Sequence, residues 1–408
     1  MDERKFQDLR ERLISSLEGF REIKDEEIYQ NIDELILESG MQFYIRLSER
    51  NTLRRELFNS VRRLDILQEL IDDNSVTEIM VNGTDGIFIE RDGRLMLWDK
   101  CFSSKERLED IAQQIVGRCN RIVNESVPIV DARLENGARV NIVMPPVALN
   151  GPVITIRRFP DHPIDMEQLI SWNSISAEAV GFLKLLVQAR YNIFISGGTG
   201  SGKTTFLNAL SDFIPKDERI ITIEDNAELQ IQGVKNLVRM EARNANTEGD
   251  KAITIRDLIH SSLRMRPDRL VIGEVRGSEA VDLLQAMNTG ADGSLSTGHA
   301  NSPQDMLLRL ETLVLMGMEI PLSAVRRQIA TGIDIIVHLG RIRDKTRKVL
   351  QILEVLGYDS QKDEIRTQIL YEFEEEGEEP CGKIKGRLLR RQELQKLFKL
   401  QRAGLNLQ

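Results

Sequence analysis

Apolar residues recur at helical spacing through the first 65 residues of the chain. The residues that follow one another at intervals of three and four are Phe6, Leu9, Leu13 and Leu17, and then Ile28, Ile32, Leu35 and Ile36. Charged residues fill the positions between them, which is the pattern of amphipathic helices. We therefore predict a small helical bundle over residues 1–65 that packs on a neighbouring domain.

From Leu67 onward, the pattern changes to short β-rich runs separated by turn dipeptides such as Asn82-Gly83 and Asn136-Gly137. The predicted strands are Thr77–Val81, Ile87–Glu90, Ala132–Leu134, Arg139–Val143 and Val153–Phe159, with a helix predicted over Lys105–Ile122. Strands joined by such turns predict an α+β domain over residues 66–160. Two prolines and several polar residues follow in Phe159–Ile170. They predict a linker over residues 161–175, with a hinge at Phe159–Ser171 and a surface position for His162.

Between residues 176 and 356, apolar β runs alternate with helical patterns, which predicts an α/β domain with a parallel-rich sheet and helices on both faces. The predicted strands are Ile193–Ile195, Ile220–Ile223, Arg269–Ile272, Ser294–Thr297, Ile333–Leu339 and Val349–Val355. Residues 357–408 are predicted to form a charged extension. Its acidic run is Glu372–Glu379, and its basic, leucine-rich segment is Lys383–Arg402. We predict a helix for the basic segment, which either docks on its own domain or binds a partner or a membrane surface.

The composition fits a globular chain, with 408 residues that are 41% hydrophobic and 29% charged. The sequence contains no run of apolar residues long enough to span a bilayer, and its charged N-terminus is not a secretory signal. Cys101, Cys119 and Cys381 form neither a disulfide framework nor a zinc spacing, which favours a reducing cytoplasm. The net charge of −9 argues against bulk binding to nucleic acid.

The segment from Asn192 to Leu210 combines a buried strand, a glycine-rich loop and the start of a helix. Its spacing is G-x-x-x-x-G-K-[ST], which is typical of a loop that binds a polyphosphate with its backbone amides. The predicted nucleotide-binding residues are Gly197, Gly198, Thr199, Gly200, Ser201, Gly202, Lys203, Thr204 and Thr205. Lys203 is expected to reach the β- and γ-phosphates of ATP, and the Thr204 hydroxyl is expected to bind Mg²⁺.

Two acids follow predicted strands further along the chain. Glu224 ends the run Ile220–Ile223, and Glu274 comes after Arg269–Ile272. Carboxylates at the C-terminal ends of parallel strands lie where open α/β sheets bind ligands, and there they orient Mg²⁺ or water. His299 follows a third strand, so it is either a structural residue or a sensor of the γ-phosphate. We interpret His260 as a packing residue, whereas His338 lies in a late strand.

The predicted α+β domain carries four arginines of interest: Arg133, Arg139, Arg157 and Arg158. Neighbouring residues of a strand point to opposite faces, so at most one of Arg157 and Arg158 faces a given partner. Each arginine is either a solvated strand residue or a finger that reaches the phosphates bound by the next domain.

Four ordered blocks resemble the secretion ATPases of the type II/type IV superfamily. They are the glycine loop, ITIED at Ile221–Asp225, RPDRLVIGEVRG at Arg266–Gly277 and SLSTGHANSP at Ser294–Pro303. They are similar to that family's Walker A, Asp box, Walker B and His box. Three upstream segments most resemble the CpaF-like branch, which assembles tight-adherence (Flp, type IVc) pili. These segments are EIMVNG at Glu78–Gly83, DARLENGARVN at Asp131–Asn141 and ITIRRF at Ile154–Phe159.

The resemblance implies an ATPase that forms a homo-hexameric ring. Its subunits would hold Mg²⁺ and ATP between a PAS-like sensing domain and a RecA-like domain. It would sit at the cytoplasmic face of the inner membrane, on a platform protein. By the same resemblance, Glu274 polarises water, Glu224 is the Asp-box acid, His299 is the sensor, and Arg157 or Arg158 contacts the γ-phosphate region. Thr204, Glu224 and Glu274 would surround the metal. Ala291 and Gly298 stand where the branch has a histidine and a leucine.

Other functions are compatible with the same motifs. A type IV secretion ATPase and a pilus-retraction motor share them, and a nucleotide-gated binding module without turnover would need only the loop. A RecA-type helicase is disfavoured by the acidic net charge and the absence of interleaved aromatic and basic residues.

Overall fold

The computed structural model describes residues 3–17, 23–42, 46–91, 93–119, 121–134, 136–158, 163–243, 252–380 and 382–406. The chain divides into two compact units, Met1–Pro160 and Asp161–Gln408. Among the described residues, none of the helices combines the length and the apolar composition needed to cross a bilayer. The predicted surface residue His162 lies outside the described residues.

The first unit begins with three helices where helices are predicted: α1 (Glu3–Leu17), α2 (Asp25–Gln42) and α3 (Leu47–Arg62). Leu13, Ile32 and Leu57 are fully buried in a cluster that these helices share. The apolar positions at helical spacing therefore form a core of their own.

The remaining elements of the first unit are two helices and an antiparallel sheet. In chain order they are α4 (Leu67–Asp72), β1 (Val76–Asn82), β2 (Ile87–Arg91), β3 (Arg94–Leu97), α5 (Lys105–Arg118), β4 (Ile129–Arg133), β5 (Arg139–Val143) and β6 (Val153–Arg157). The strand order is β3-β2-β1-β6-β5-β4. The α+β elements agree with the sequence prediction, whereas the likeness to PAS domains stays a prediction.

The second unit contains the large sheet. Its elements are α6 (Met166–Ser171), α7 (Ala177–Gln188), β7 (Ile193–Gly197), α8 (Lys203–Ser211), β8 (Ile220–Glu224), β9 (Leu237–Glu241), α9 (Ile255–Ser262), β10 (Arg269–Ile272), α10 (Ala280–Asn288), β11 (Leu295–His299), α11 (Pro303–Gly317), α12 (Leu322–Gly332), β12 (Ile335–Arg341), β13 (Arg347–Asp359), β14 (Glu364–Glu378), β15 (Ile384–Arg390) and α13 (Phe398–Arg402).

The nine strands are ordered β15-β14-β13-β12-β7-β11-β10-β8-β9. Neighbours from β12 to β9 are parallel, and neighbours from β12 to β15 are antiparallel. Along β7, Ile193 and Ile195 enter one core and Phe194 enters the other. Both faces of the sheet are therefore covered, which explains why the strand is apolar throughout. The predicted α/β class with a mostly parallel sheet is confirmed.

The predicted linker is wrong for most of its length. Met166–Ser171 is a helix, and the Asp165 side chain caps it by accepting a hydrogen bond from the Gln168 amide at 2.8 Å. Met166, Leu169 and Ile175 are buried in the core of the second unit. A segment that loses this much apolar surface to a core cannot serve as a free hinge. Phe159–His162 lies outside the described residues.

The predicted basic helix is also wrong, because Ile384–Arg390 is strand β15. Ile384 and Leu388 are buried, and a spacing of four residues suits both a helix and a strand. The acidic strand β14 decides between them. Arg387 pairs with Glu376 at 3.1 Å, and Arg391 pairs with Glu372 at 3.2 Å. The segment predicted to be an extension thus continues the large sheet, and only Phe398–Arg402 is helical there.

Candidate active site

The glycine-rich loop connects the central strand β7 to helix α8. Gly197, Gly200 and Gly202 have φ values of 155°, 72° and 93°. Gly200 and Gly202 thus lie well inside the region that side chains disfavour. At Gly197, a Cβ would lie 2.4 Å from the Leu339 carbonyl oxygen on β12. The glycines are therefore required by the backbone path of the loop and by its packing against the neighbouring strand.

The other predicted loop residues differ in exposure. Gly198, Thr199 and Gly200 are exposed, Ser201 is buried, and Thr204 and Thr205 are half-buried at the start of α8. The Ser201 hydroxyl donates to the Gly198 carbonyl at 2.8 Å, which tightens the turn. The helix N-terminus and the exposed glycines leave room for an anion at this edge of the sheet.

Lys203 and His299 come together although 96 residues separate them in the sequence. Lys203 Nζ lies 3.0 Å from the Gly198 carbonyl oxygen and 3.2 Å from His299 Nδ1. Burial lowers the pKa of both side chains. The His299 ring is therefore neutral at pH 7, so it can accept a hydrogen bond from the ammonium group.

Glu274 lies between His299 and an arginine that the sequence argument did not assign to the site. Its Oε1 is 3.0 Å from His299 Nε2, and its Oε2 accepts a hydrogen bond of 2.8 Å from Arg276 Nη2. Burial acts to raise the pKa of Glu274, but Arg276, His299 and Lys203 outweigh it, so the pKa lies below its ordinary value. Glu274 is therefore ionised at neutral pH.

Glu224 is almost fully buried at the end of β8. Its Oε2 accepts hydrogen bonds from the Glu228 and Leu229 amides at 2.8 and 2.9 Å. Burial raises the pKa of Glu224 to about 7. A Cβ on Gly273 would lie 3.0 Å from Glu224 Cγ, so the residue before Glu274 has to be small.

The donor set fits a Mg²⁺ ion held jointly with phosphates. Among the described residues, Glu224 Oε1 and Glu274 Oε1 are buried without a hydrogen-bond partner, because the close approach of His299 lacks hydrogen-bond geometry. No cluster of three or more acidic, histidine or cysteine ligands occurs in the described part of the chain. Mg²⁺ typically takes one or two carboxylates together with substrate phosphates and water, so the two orphaned oxygens suit it, and the Thr204 hydroxyl stays the predicted third ligand.

The two predicted finger arginines lie in the first unit and have different surroundings. Arg157 is exposed, and the strand register places it opposite Arg139, which is itself opposite Arg133. Arg158 donates instead to the carbonyls of Asp73 and Val76 and to Asn74 Oδ1. Arg157 is therefore exposed whereas Arg158 is engaged within its own unit, and the finger role of either stays a prediction.

Two further residues contact the loop or the strand before it. No pattern in the sequence could have identified them. Arg347, at the start of β13, donates from Nε to the Gly200 carbonyl at 2.9 Å. His338 on β12 lies beside Ser196 of β7, with 2.9 Å between its Nδ1 and the hydroxyl oxygen. Both depend on strand pairing over more than 140 residues. Arg276 is different, because its position two residues after Glu274 was visible in the sequence.

His260 is more exposed than its predicted packing role requires. Its Nε2 lies 2.7 Å from Oδ1 of the buried Asp282, and its side chain is 60% exposed. His260 therefore contacts Asp282 of α10 from the surface, and the interpretation as a packing residue is wrong.

The departures at Ala291 and Gly298 are accommodated by packing. A Cβ at Gly298 would lie 2.9 Å from Phe194 Cε1 and 3.0 Å from Met306 Cε, so these side chains fill the space. Ala291 is buried, and its carbonyl accepts a hydrogen bond from Ser294 at 2.6 Å.

Comparison with known proteins gives a family match over most of the chain. The family model described as "Type II/IV secretion system protein" matches residues 61–401. The conjugal transfer protein TrbB of Rhizobium radiobacter is 31% identical over 298 residues, which cover 72% of this chain and 88% of TrbB. The type IV secretion system protein VirB11 of Brucella suis is 31% identical over 303 residues, which cover 68% of this chain and 84% of VirB11.

A solved structure shares the fold. The Yersinia pseudotuberculosis ATPase DotB aligns with a TM-score of 0.51 at 18% identity, over 73% of this chain and 79% of that one.

Proposed function

Since the chain belongs to the type II/IV secretion system protein family, we propose that it is a Mg²⁺-dependent ATPase that powers a secretion or pilus machine. The observation that carries the proposal is the continuous contact from Lys203 through His299 to Glu274 and Arg276, next to the glycine-rich loop. A nucleotide-gated module without turnover would need the loop but not the ionised Glu274.

Each side chain of the site has its own role in the proposed hydrolysis. The loop amides and Lys203 hold the β- and γ-phosphates of ATP. Glu274 accepts a hydrogen bond from water and orients it in line with the γ-phosphorus, while Arg276 fixes the carboxylate from its other oxygen. His299, neutral and within reach of Lys203 and Glu274, senses the γ-phosphate. Mg²⁺, when bound by Thr204, Glu224 and Glu274, neutralises charge on the phosphate oxygens.

Arg157 supplies charge from the first unit in this proposal. Arg133, Arg139 and Arg157 occupy directly opposite register positions, with Glu78 opposite Arg157 on its other side. The positive charge of the exposed Arg157 would complement the negative charge of a triphosphate. Nucleotide binding then favours closure of the two units, and hydrolysis releases it.

The assembly that we propose is a homo-hexamer on an inner-membrane platform protein, attached to the cytoplasmic face of the membrane through that partner. We expect no direct contact with nucleic acid. The machine that we propose first is a tight-adherence pilus of the CpaF-like branch. Type IV secretion or conjugal transfer is the second candidate, and the similarity to TrbB and VirB11 favours it. Native mass measurement with and without an ATP analogue tests the ring.

Substitution of Glu274 tests the proposed activity. Glu274→Gln keeps the shape of the side chain but removes its charge, so we expect ATP to bind while phosphate release falls about 100-fold or more. Lys203→Ala should lower both affinity and turnover. Glu319→Gln is the matched control, because Glu319 is exposed and lies outside the site. Full turnover in Glu274→Gln would contradict the role of Glu274, and a parent protein that releases no phosphate would favour the binding module.

A further inference from the structure

The positions of His299 and Glu274 determine on which side of the loop the nucleoside of a bound nucleotide emerges. This inference rests on the proposed ATPase function. His299 ends β11 and Glu274 follows β10, so both lie on the same side of β7 in the order β12-β7-β11-β10. A γ-phosphate that faces them directs the ribose and the base of the nucleotide the other way. The base therefore emerges toward β12 and β13.

Arg347 lies on the side of the loop that faces β12 and β13. Strand β13 is antiparallel to β12, so its first residue, Arg347, lies at the same sheet edge as the phosphate loop. Its Nε donates to the Gly200 carbonyl at 2.9 Å, and its Cδ lies 3.4 Å from the position of a Cβ on Gly202. Two strand spacings, about 10 Å, separate β13 from β7. This span suits a ribose with its base.

The turn after α6 is fastened to the same part of β13. The Val349 amide donates to the Ser174 carbonyl at 2.8 Å, and Lys348 Nζ donates to the Asn173 carbonyl at 2.8 Å. Trp172 belongs to this turn, yet its side chain remains 54% exposed. Its backbone is held while its ring is accessible, as in an aromatic platform for base stacking.

We propose that Trp172 is the stacking platform for the base of the bound nucleotide, in a subsite on the exposed side of the turn after α6, beside the start of β13. The ligand class is a nucleoside di- or triphosphate with a purine base, since a purine offers the larger face to an indole ring.

The chain contains two tryptophans, Trp98 and Trp172, so one substitution isolates the proposed platform. In full-length Trp98→Phe protein, Mg·ADP should change the emission of Trp172. Mg·pyrophosphate fills the loop but has no base, and it should leave the emission unchanged. By calorimetry, Trp172→Ala should bind ADP about tenfold more weakly and pyrophosphate as the parent does, and Trp172→Phe should recover most of the ADP affinity. Trp98→Phe is the control and should bind both ligands like the parent.

Comparing ADP with pyrophosphate distinguishes a failure of the stacking proposal from a failure of the ATPase proposal. Unchanged ADP affinity in Trp172→Ala, or an equal loss for ADP and pyrophosphate, would overturn the stacking role and leave the ATPase proposal in place. A parent protein that binds neither ligand would overturn the proposed function and the subsite with it.

Discussion

Glu224 and Glu274 follow neighbouring parallel strands, but the pKa values of their carboxyl groups shift in opposite directions. Burial is the largest influence on both and raises both pKa values. At Glu274 the hydrogen bond and charge of Arg276 reverse the effect, whereas Glu224 has only two backbone amides as donors. Two acids whose surroundings separate their pKa values in this way can take different roles. Glu274 stays charged and can orient the attacking water in the proposed mechanism, whereas Glu224 becomes charged near neutral pH.

We predict that Glu224→Gln stabilises the protein at alkaline pH. The folded-state pKa of Glu224 is raised from 4.5 to about 7, so its contribution to stability is complete below pH 4.5 and is lost as the pH rises through 7. The loss amounts to about 3 kcal/mol. Glutamine stays neutral and can still accept from the Glu228 and Leu229 amides. Thermal melts at pH 5.5 and pH 8 should therefore differ less in Glu224→Gln than in the parent.

The control for this measurement is Glu319→Gln, whose melts should run parallel to those of the parent. A parallel course for Glu224→Gln itself would mean that the buried carboxyl does not titrate as stated. The same variant should bind Mg·ATP more weakly, because the charge that destabilises the folded chain is the charge that the metal needs.

At the scale of elements, the short helix α13 contacts the large sheet at the end of β7 that lies opposite the phosphate loop. Lys399 Nζ donates to Asp334 Oδ2 at 2.8 Å and to Asp292 Oδ1 at 2.9 Å. Asp334 is buried and also accepts from the Asn192 amide at 2.9 Å, just before β7. The C-terminus of the chain thus fixes the start of the strand whose far end carries the phosphate loop.

We predict that Lys399→Ala lowers the free energy of unfolding by about 1–3 kcal/mol, since it leaves the buried Asp334 carboxylate without its nearest cation. Urea denaturation should show a lower midpoint, while ATP affinity stays unchanged because the contact lies at the other end of β7. The matched control is Lys362→Ala, whose partner Glu364 is 3.8 Å away at the surface. A midpoint equal to that of the control would contradict the proposed stabilisation.

At the scale of the whole molecule, the proposed mechanism requires an arginine of the first unit at the nucleotide site of the second. The adjacent residues Arg157 and Arg158 allow an effect on activity to be distinguished from an effect on stability. Arg158 serves the turn before β1 with donors to Asp73, Asn74 and Val76, whereas Arg157 is exposed beside Arg139.

We therefore predict opposite phenotypes for the two neighbours. Arg157→Ala should reduce ATP turnover about 100-fold or more, as expected for an arginine finger, with little change in melting temperature. Arg158→Ala should lower the melting temperature because the Asp73 and Val76 carbonyls lose a donor, and turnover per folded molecule should be retained. Phosphate-release assays and thermal melts on both variants test this pair. An exchange of the two phenotypes would assign the finger to Arg158.

Local sequence patterns were sufficient to predict the phosphate loop, the strands next to Glu224 and Glu274, and the helices of the first 65 residues. These features rest on spacing within short segments, where glycines, apolar periods and acids at strand ends have a direct physical meaning. Strand Ile193–Gly197 and helix α8 accordingly lie where they are predicted.

The remaining features depend on contacts between segments that are distant in the sequence. The segment at Ile384–Arg390 has a pattern that suits a helix as well as a strand, and pairing with β14 selects the strand. The contacts of Arg347 and His338 with the loop strand arise from pairings across the sheet, and the difference between Arg157 and Arg158 depends on which carbonyls lie nearby. Local patterns encode the preferences of a segment, whereas contacts between distant segments exist only after the chain has folded.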